Sequence, residues 1–350
     1  MSAPSRLDNS AGRAVPARRC RLLLVLAAIA ILIGSASAAA QVLVVLSDGA
    51  GGYDAVADEL RAGLKPVREG RVRVDSVDAA HLASVSDPTF DAYELVVPVG
   101  LAAAQAIMTR EASSTMPPPT LCLLIPRQSF ERLAPAVTND RARRLSALFI
   151  DQPISRQLDL VRIALPERHR VGVILGPSSR ELEGALRSQA SSRDLSLDFA
   201  RVDASSGVYA ALQSVMAASD LLLLLPDPVA TTADTVYGLL LTSYRAQIPV
   251  VGYSEGLLNA GALLSLYSTA RQQGRQGAEI AASILAREPL PAPQHPKYFT
   301  VRVNASVARS LGLHLPPEAA LYSALESKTE SVETKPGRDS KDGATPGGPP

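Results

Sequence analysis

The 350-residue chain has no tryptophan, and its aromatic residues make up 4% of the total. It carries two cysteines, four histidines and a net charge of +1, from 35 basic and 34 acidic side chains. Each scarcity excludes something. A balanced charge with few aromatics does not suit nucleic acid, because neutralising phosphates takes clustered Lys and Arg. His81, His169, His295 and His314 stand alone, with no H-x-x-x-H or C-x-x-C spacing, so no metal site is read. No G-x-x-x-x-G-K-[ST] occurs, and Gly49-Ala-Gly-Gly52 falls short of a full G-x-G-x-x-G. No nucleotide or other cofactor is therefore expected. What is present is a hydrophobic fraction of 47%, which suits a globular chain, and a length that suggests about two domains at roughly 150 residues each.

The charge is unevenly spread. Residues 1–40 hold five arginines (Arg6, Arg13, Arg18, Arg19 and Arg21) against one acid, Asp8, which leaves the rest mildly acidic. An apolar run, Leu22 to Ile33, follows the arginines, and small residues extend from Gly34 to Ala40. This order reads as a secretory signal peptide cut near Ala38 or Ala40; an uncleaved anchor is the alternative. A twelve-residue apolar run is shorter than the roughly 20 residues a membrane span needs. Export to the periplasm is the expected location. Cys20 would leave with the signal, so Cys122 stands alone and the fold must rest on its core rather than on a disulfide.

From Gln41 onward the chain alternates apolar, β-rich runs with amphipathic stretches. Val42–Leu46, Leu95–Val99, Leu121–Ile125, Arg170–Leu175, Leu221–Leu225 and Pro249–Gly252 read as strands. Continuously apolar strands are those buried on both faces, as in a parallel sheet covered by helices. A strand, a polar or glycine-containing loop and a helix recur in both halves, which predicts an α/β protein of two doubly wound parallel-sheet lobes. Residues 326–350 are nearly devoid of apolar side chains and are expected to form a disordered tail.

Such sheets bind ligands beyond the carboxyl ends of their strands. The loops in question are Ser47–Tyr53, Pro98–Ala102 and Pro126–Gln128 in the first lobe. In the second they are Gly176–Ser179, Pro226–Thr232 and Tyr253–Glu255. Candidate ligand contacts are therefore Ser47, Asp48, Tyr53, Gly100, Leu101, Arg127, Ser178, Ser179, Asp227, Tyr253, Ser254 and Glu255. Ser178 and Ser179 would offer hydroxyl and N–H donors to a carboxylate. Asp48 and Asp227 would hold an ammonium, and Tyr53 and Tyr253 would form flat walls. The same serines and Asp48 are equally good helix caps, and Asp227 between two prolines is equally a turn residue. Gly252-Tyr-Ser-Glu-Gly256 matches G-x-S-x-G after an apolar strand, the setting of a nucleophilic serine at Ser254. The acid and histidine would have to come from Glu279 or Glu288 and His295 or His314. Glu279 falls inside an expected helix, and no Asp lies between Asp234 and Asp339, so no catalytic residue is assigned.

The ordered series over residues 41–316 resembles the periplasmic substrate-binding proteins of ABC transporters, in the family with tryptophan- and tyrosine-binding members. It is carried by Leu165-Pro-Glu-Arg-His-Arg-Val-Gly-Val-Ile-Leu-Gly-Pro-Ser-Ser179 and by Ala246-Gln-Ile-Pro-Val-Val-Gly-Tyr-Ser-Glu255. Asn259-Ala-Gly-Ala262, Gly274 with Gly277, and Val303-Asn304 to Leu311-Gly312 continue it. Two departures stand out. Gly100-Leu101 replaces the family's Gly-Thr, and Pro126-Arg127-Gln128 replaces its Asp-Pro, so that Arg127 could attract an anionic group.

The resemblance implies a type I periplasmic-binding-protein fold. Its crossings between lobes are expected near Ser146–Asp151, Tyr253–Gly261 and Pro289–Pro296, with lobe one at 41–148 plus 260–290 and lobe two at 149–259 plus 291–325. It also implies a small organic ligand, an amino acid by the zwitterion argument, and a membrane permease and ATPase as partners. A ligand-binding sensory subunit without a transport role is the alternative.

Overall fold

The computed structural model describes residues 40–48, 52–111, 117–134 and 144–333. Residues 1–39 of the expected signal peptide, Cys20 among them, and residues 334–350 of the expected tail lie outside these residues.

The first lobe runs through β1 (Ala40–Leu46), α1 (Tyr53–Leu64), β2 (Val72–Asp78), α2 (Asp87–Asp91), β3 (Leu95–Val99), α3 (Leu101–Glu111), β4 (Thr120–Ile125), α4 (Arg127–Leu133) and β5 (Leu145–Phe149). Its five strands form a parallel sheet in the order β2-β1-β3-β4-β5. The pleat of β1 shows why its sequence is apolar from Val42 to Leu46. Ala40, Val42, Val44 and Leu46 pack on one face with Val56, Leu60 and Leu64 of α1. Leu43 and Val45 pack on the other with Phe90, Ala103 and Ile107. Alternate side chains of a strand point to opposite faces, so a strand covered on both has no polar position. Cys122 is fully buried in the core beside Phe130 and Phe149.

The second lobe comprises α5 (Ile154–Ala164), β6 (Arg170–Leu175), α6 (Glu183–Ser191), β7 (Ser196–Arg201), α7 (Val208–Ala218), β8 (Leu221–Leu223), α8 (Ala233–Arg245), β9 (Val250–Gly252), α9 (Glu255–Ala260) and β10 (Leu264–Tyr267). After α10 (Ala270–Leu285), the chain supplies β11 (Thr300–Val303), α11 (Ala305–Ser310) and α12 (Glu318–Glu333). The sheet order is β11-β10-β9-β8-β6-β7, parallel except for the β10–β11 pair. Val171, Val173 and Leu175 of β6 share a core with Leu158 and Val161 of α5, while Ile174 packs on the opposite face with Leu212 and Leu240.

The structure moves two of the expected boundaries. Residues 260–290 were assigned to lobe one, yet β10 pairs with β9 (Leu264↔Val251) and β11 (Leu266↔Val301) and so belongs to the second sheet. The chain crosses instead at Ser268–Thr269, where a capping box starts α10. Thr269 Oγ1 accepts from the Gln272 N–H at 3.2 Å, and Gln272 Oε1 accepts from the Thr269 N–H at 2.8 Å. Helix α10 then packs on the first lobe against α1, where Gly63 lets Ala278 approach: a Cβ on Gly63 would lie 2.5 Å from the Cβ of Ala278. The second correction concerns the tail, because residues 326–333 continue helix α12. Leu321 and Leu325 anchor that helix in the second lobe's core, and this burial sustains a helix whose last turns, from Glu326, are almost wholly polar.

The three crossings lie side by side. The first follows β5, at residues 150–153 rather than from Ser146, which is inside β5. The third follows Gln294, which still bridges to Leu148 at the edge of the first sheet. Gln152 Nε2 donates to Ser268 Oγ at 2.8 Å, and Ser268 Oγ donates to the Tyr298 carbonyl at 2.6 Å, so one hydroxyl ties all three together. Gln273 Nε2, fully buried, donates to the Phe149 carbonyl at 2.9 Å.

Candidate functional site

A cavity of about 400 Å³ opens between the strand ends of the two lobes. Leu101 after β3 and Pro126, Arg127 and Gln128 after β4 line it from the first lobe. Ser178 after β6, Pro226 and Asp227 after β8, and Tyr253 after β9 line it from the second. Asp151, Gln152 and His295 of the crossing segments close its back. Its size falls in the range of small-molecule pockets, roughly 300–1,000 Å³. Of the twelve expected contacts, five meet here: Leu101, Arg127, Ser178, Asp227 and Tyr253.

The other seven are not on the lining, and most have internal work to do. Ser47 Oγ donates to the Val99 carbonyl at 2.9 Å and accepts from the Ala103 N–H at 3.0 Å, which binds β1 to the start of α3. Gly100 has φ of +89°, and a Cβ there would stand 2.5 Å from Ser47 Oγ and 2.9 Å from Tyr53 Cε1. It is a glycine for conformation and closeness together. Tyr53 packs on the first lobe's core. Asp48 and Glu255 are exposed. Ser179 is fully buried, its hydroxyl donating to Asp227 Oδ2 at 2.9 Å and accepting from the Gly176 N–H at 3.0 Å.

Ser254 is the N-cap of α9, its Oγ accepting from the Leu257 N–H at 3.2 Å. The G-x-S-x-G match is thus a helix cap. Of the residues that could complete a triad, Glu279 is engaged with Lys297 and Tyr298, and His295 with Asp151.

Asp227 lies at the cavity, with both carboxylate oxygens turned to donors of its own lobe. Oδ2 accepts from the N–H groups of Ser178 (3.1 Å) and Ser179 (2.9 Å) and from the Ser179 hydroxyl. Oδ1 accepts from the N–H groups of Val229 (2.8 Å) and Ala230 (3.0 Å). Burial works to raise its pKa, but the donors from Ala230, Val229 and Ser179 prevail and hold it below the usual carboxylate range. The carboxylate knits two loops of its own lobe. Tyr253 is partly buried, and its hydroxyl donates to Thr231 Oγ1 at 3.0 Å. Burial is also the main reason its pKa is raised.

Several lining residues escaped the sequence reading. Arg132 reaches the cavity from α4, five residues after Arg127, and donates to Ser129 Oγ at 3.2 Å. Leu182 and Leu225 supply apolar wall. Asp151 Oδ2 accepts from the Arg127 N–H at 2.6 Å, and the Asp151 carbonyl accepts from His295 Nδ1 at 2.9 Å. Burial raises the Asp151 pKa and lowers that of His295. The signal for both was their place in the expected crossings, since a hinge segment between two facing lobes necessarily forms the back of the cleft. Among the described residues no group of three His, Cys, Asp or Glu could hold a metal, and no helix is long and apolar enough to cross a membrane.

Comparison with known proteins places this geometry. The family described as ABC transporter substrate binding protein matches residues 78–328. No curated protein matches the chain. Among solved structures, a conserved domain protein from Vibrio cholerae is 22% identical, with a TM-score of 0.55 over 82% of this chain and 98% of its own. A ligand-free, open substrate-binding protein with adhesive properties from Clostridium difficile is 18% identical, with a TM-score of 0.62 over 79% of this chain and 96% of its own. An ABC domain in complex with L-Trp from Streptococcus pneumonia is 15% identical, with a TM-score of 0.54 over 81% and 97%. These likenesses establish the fold, which is that of the type I periplasmic binding proteins. With most of the chain matched, the protein belongs to the family of ABC transporter substrate-binding proteins.

Proposed function

We propose that this protein is exported, captures a small organic solute between its two lobes and delivers it to a membrane permease with an ATPase partner. The observation that carries this reading is the cavity itself: about 400 Å³, walled by strand-end loops of both sheets and backed by the three crossings. A solute held there touches both lobes only when they close on it. It therefore stabilises the closed state by its differential affinity, and population shift is the mechanism. No bond needs to be made or broken. An amino acid would meet Arg127 with its carboxylate, while its ammonium would need an acceptor other than the enclosed Asp227.

The test is a melting screen of the purified protein against amino acids, sugars, nucleosides and organic acids. A true ligand at about 100 times its Kd adds about 2.7 kcal/mol of stability. Tyr253→Ala is expected to weaken the response. A strain lacking the protein is then expected to lose uptake of the identified solute and regain it on re-expression. Uptake unchanged by the deletion would leave a sensing role as the better reading, and no response to any solute would overturn solute capture.

A further inference from the structure

We infer that the solute is an organic anion with an apolar body and no ammonium group, held by its carboxylate against helix α4. This rests on the cleft being the solute site.

The charge distribution around the cavity is one-sided. Arg127, Gln128 and Arg132 all come from α4 and all line the cavity. Arg132 is hydrogen-bonded to a neutral hydroxyl, that of Ser129. The Arg127 guanidinium lies 3.6 Å from the Glu131 carboxylate one turn along the same helix, and Glu131 is not on the lining. Two guanidiniums from one short helix, five residues apart, form a donor set for a carboxylate, since each guanidinium fork matches its two oxygens.

Among the described residues the facing wall has no uncommitted carboxylate for a cation. Both Asp227 oxygens are filled by five donors of their own lobe. What lobe two presents instead is Ser178 and Gln157 amid hydrocarbon and ring: Leu182, Leu225, Pro226, Pro228 and Tyr253. Asp151, at the back, is the remaining carboxylate of the lining. One of its oxygens takes the Arg127 N–H, and its burial favours the protonated form, which weakens it as a partner for an ammonium. His295 beside it is pushed toward its neutral form by the same burial. An α-ammonium placed against lobe two would be desolvated on a largely apolar wall that offers it no uncommitted carboxylate.

The experiment measures binding of matched probes to the purified protein by calorimetry. Phenylpropanoate and isocaproate are the anions, L-phenylalanine and L-leucine are their ammonium-bearing counterparts, and the primary amides are the neutral ones. The expected result is that at least one anion binds, at least tenfold more tightly than its amino acid and its amide. Arg127→Gln and Arg132→Gln should each weaken it about ten- to a hundredfold. Their ligand-free melting should stay near that of the parent, which separates lost binding from lost folding. Binding of an amino acid, amide, sugar or nucleoside in preference to every anion, weakened by Tyr253→Ala, would overturn this inference and leave solute capture standing. So would anion binding indifferent to both arginine substitutions. No binding by any class would remove the cleft reading and this inference with it.

Discussion

A Cβ placed on Gly176 would lie 2.0 Å from Oδ1 of Asp227. The glycine after β6 is therefore what admits the carboxylate that joins the β6 and β8 loops. Gly176→Ala is expected to destabilise the protein by about 1–3 kcal/mol through overpacking. Asp227→Asn keeps the shape but puts an N–H₂ where a lone-pair acceptor faces two N–H groups, and is expected to cost a similar amount. Urea unfolding measures both. The native Asp227 pKa is depressed, so its contribution is fully present above the unfolded carboxylate value of about 3.9 and is lost as pH falls through the lower folded value. The Asn variant should accordingly lose part of the parent's acid-limb dependence.

Asp151 and His295 titrate with opposite signs although they touch. Burial raises the Asp151 pKa in the folded state, so stability from this group is present at low pH and declines as pH rises through the folded value. Asp151→Asn, whose side-chain oxygen can still accept the Arg127 N–H, is expected to melt higher than the parent at neutral pH, with the difference shrinking in acid. For His295 the folded pKa is depressed, so stability is present above the unfolded value of about 6.5 and is lost as pH falls through the folded one. His295→Gln should flatten the parent's decline in urea midpoint between about pH 7 and pH 5. An unchanged slope would remove His295 as its source.

Ser254 separates a cap from a nucleophile. As the N-cap of α9 its loss in Ser254→Ala is expected to cost about 1 kcal/mol of stability. Solute affinity should stay within twofold of the parent. Hydrolysis of a nitrophenyl ester by the parent that vanishes in this variant would contradict the capping account.

How far these features could be read in the sequence follows from the range of the interactions behind them. The two-faced burial of β1, β3 and β6 is written in consecutive apolar residues, and it sufficed to predict two parallel sheets and to place the loops that bear Arg127, Ser178, Asp227 and Tyr253. Which sheet a strand joins is not local information. Leu264–Tyr267 reads the same in either lobe, and only its pairing with Val251 and Val301 decides. The roles of Asp227 and Ser179 depended on the space beside Gly176, about fifty residues away in sequence from Asp227. Arg132 is hidden for a different reason: a polar residue on a short amphipathic helix looks like part of a solvated face until the second lobe is set opposite it.

Helix α12 carries the last test, because its second half, from Glu326, falls in the segment expected to be a disordered tail. Its residues 326–333 sit among lysine, glutamate and serine, yet Leu321 and Leu325 are 0% and 1% exposed in the second lobe's core. Phe299 and Tyr322 also stack at 4.8 Å between centroids. Lys328 pairs with Asp159 at 2.9 Å, and Arg193 shares that carboxylate at 3.0 Å. If those two leucines hold the segment, Leu321→Ala should cost about 2–5 kcal/mol. Removing residues 334–350 should leave the urea midpoint unchanged, whereas truncation after Pro317 should lower it by more than Leu321→Ala does. Equal stability of both truncations would mean that the helix packs without contributing, and that the tail begins at its first turn.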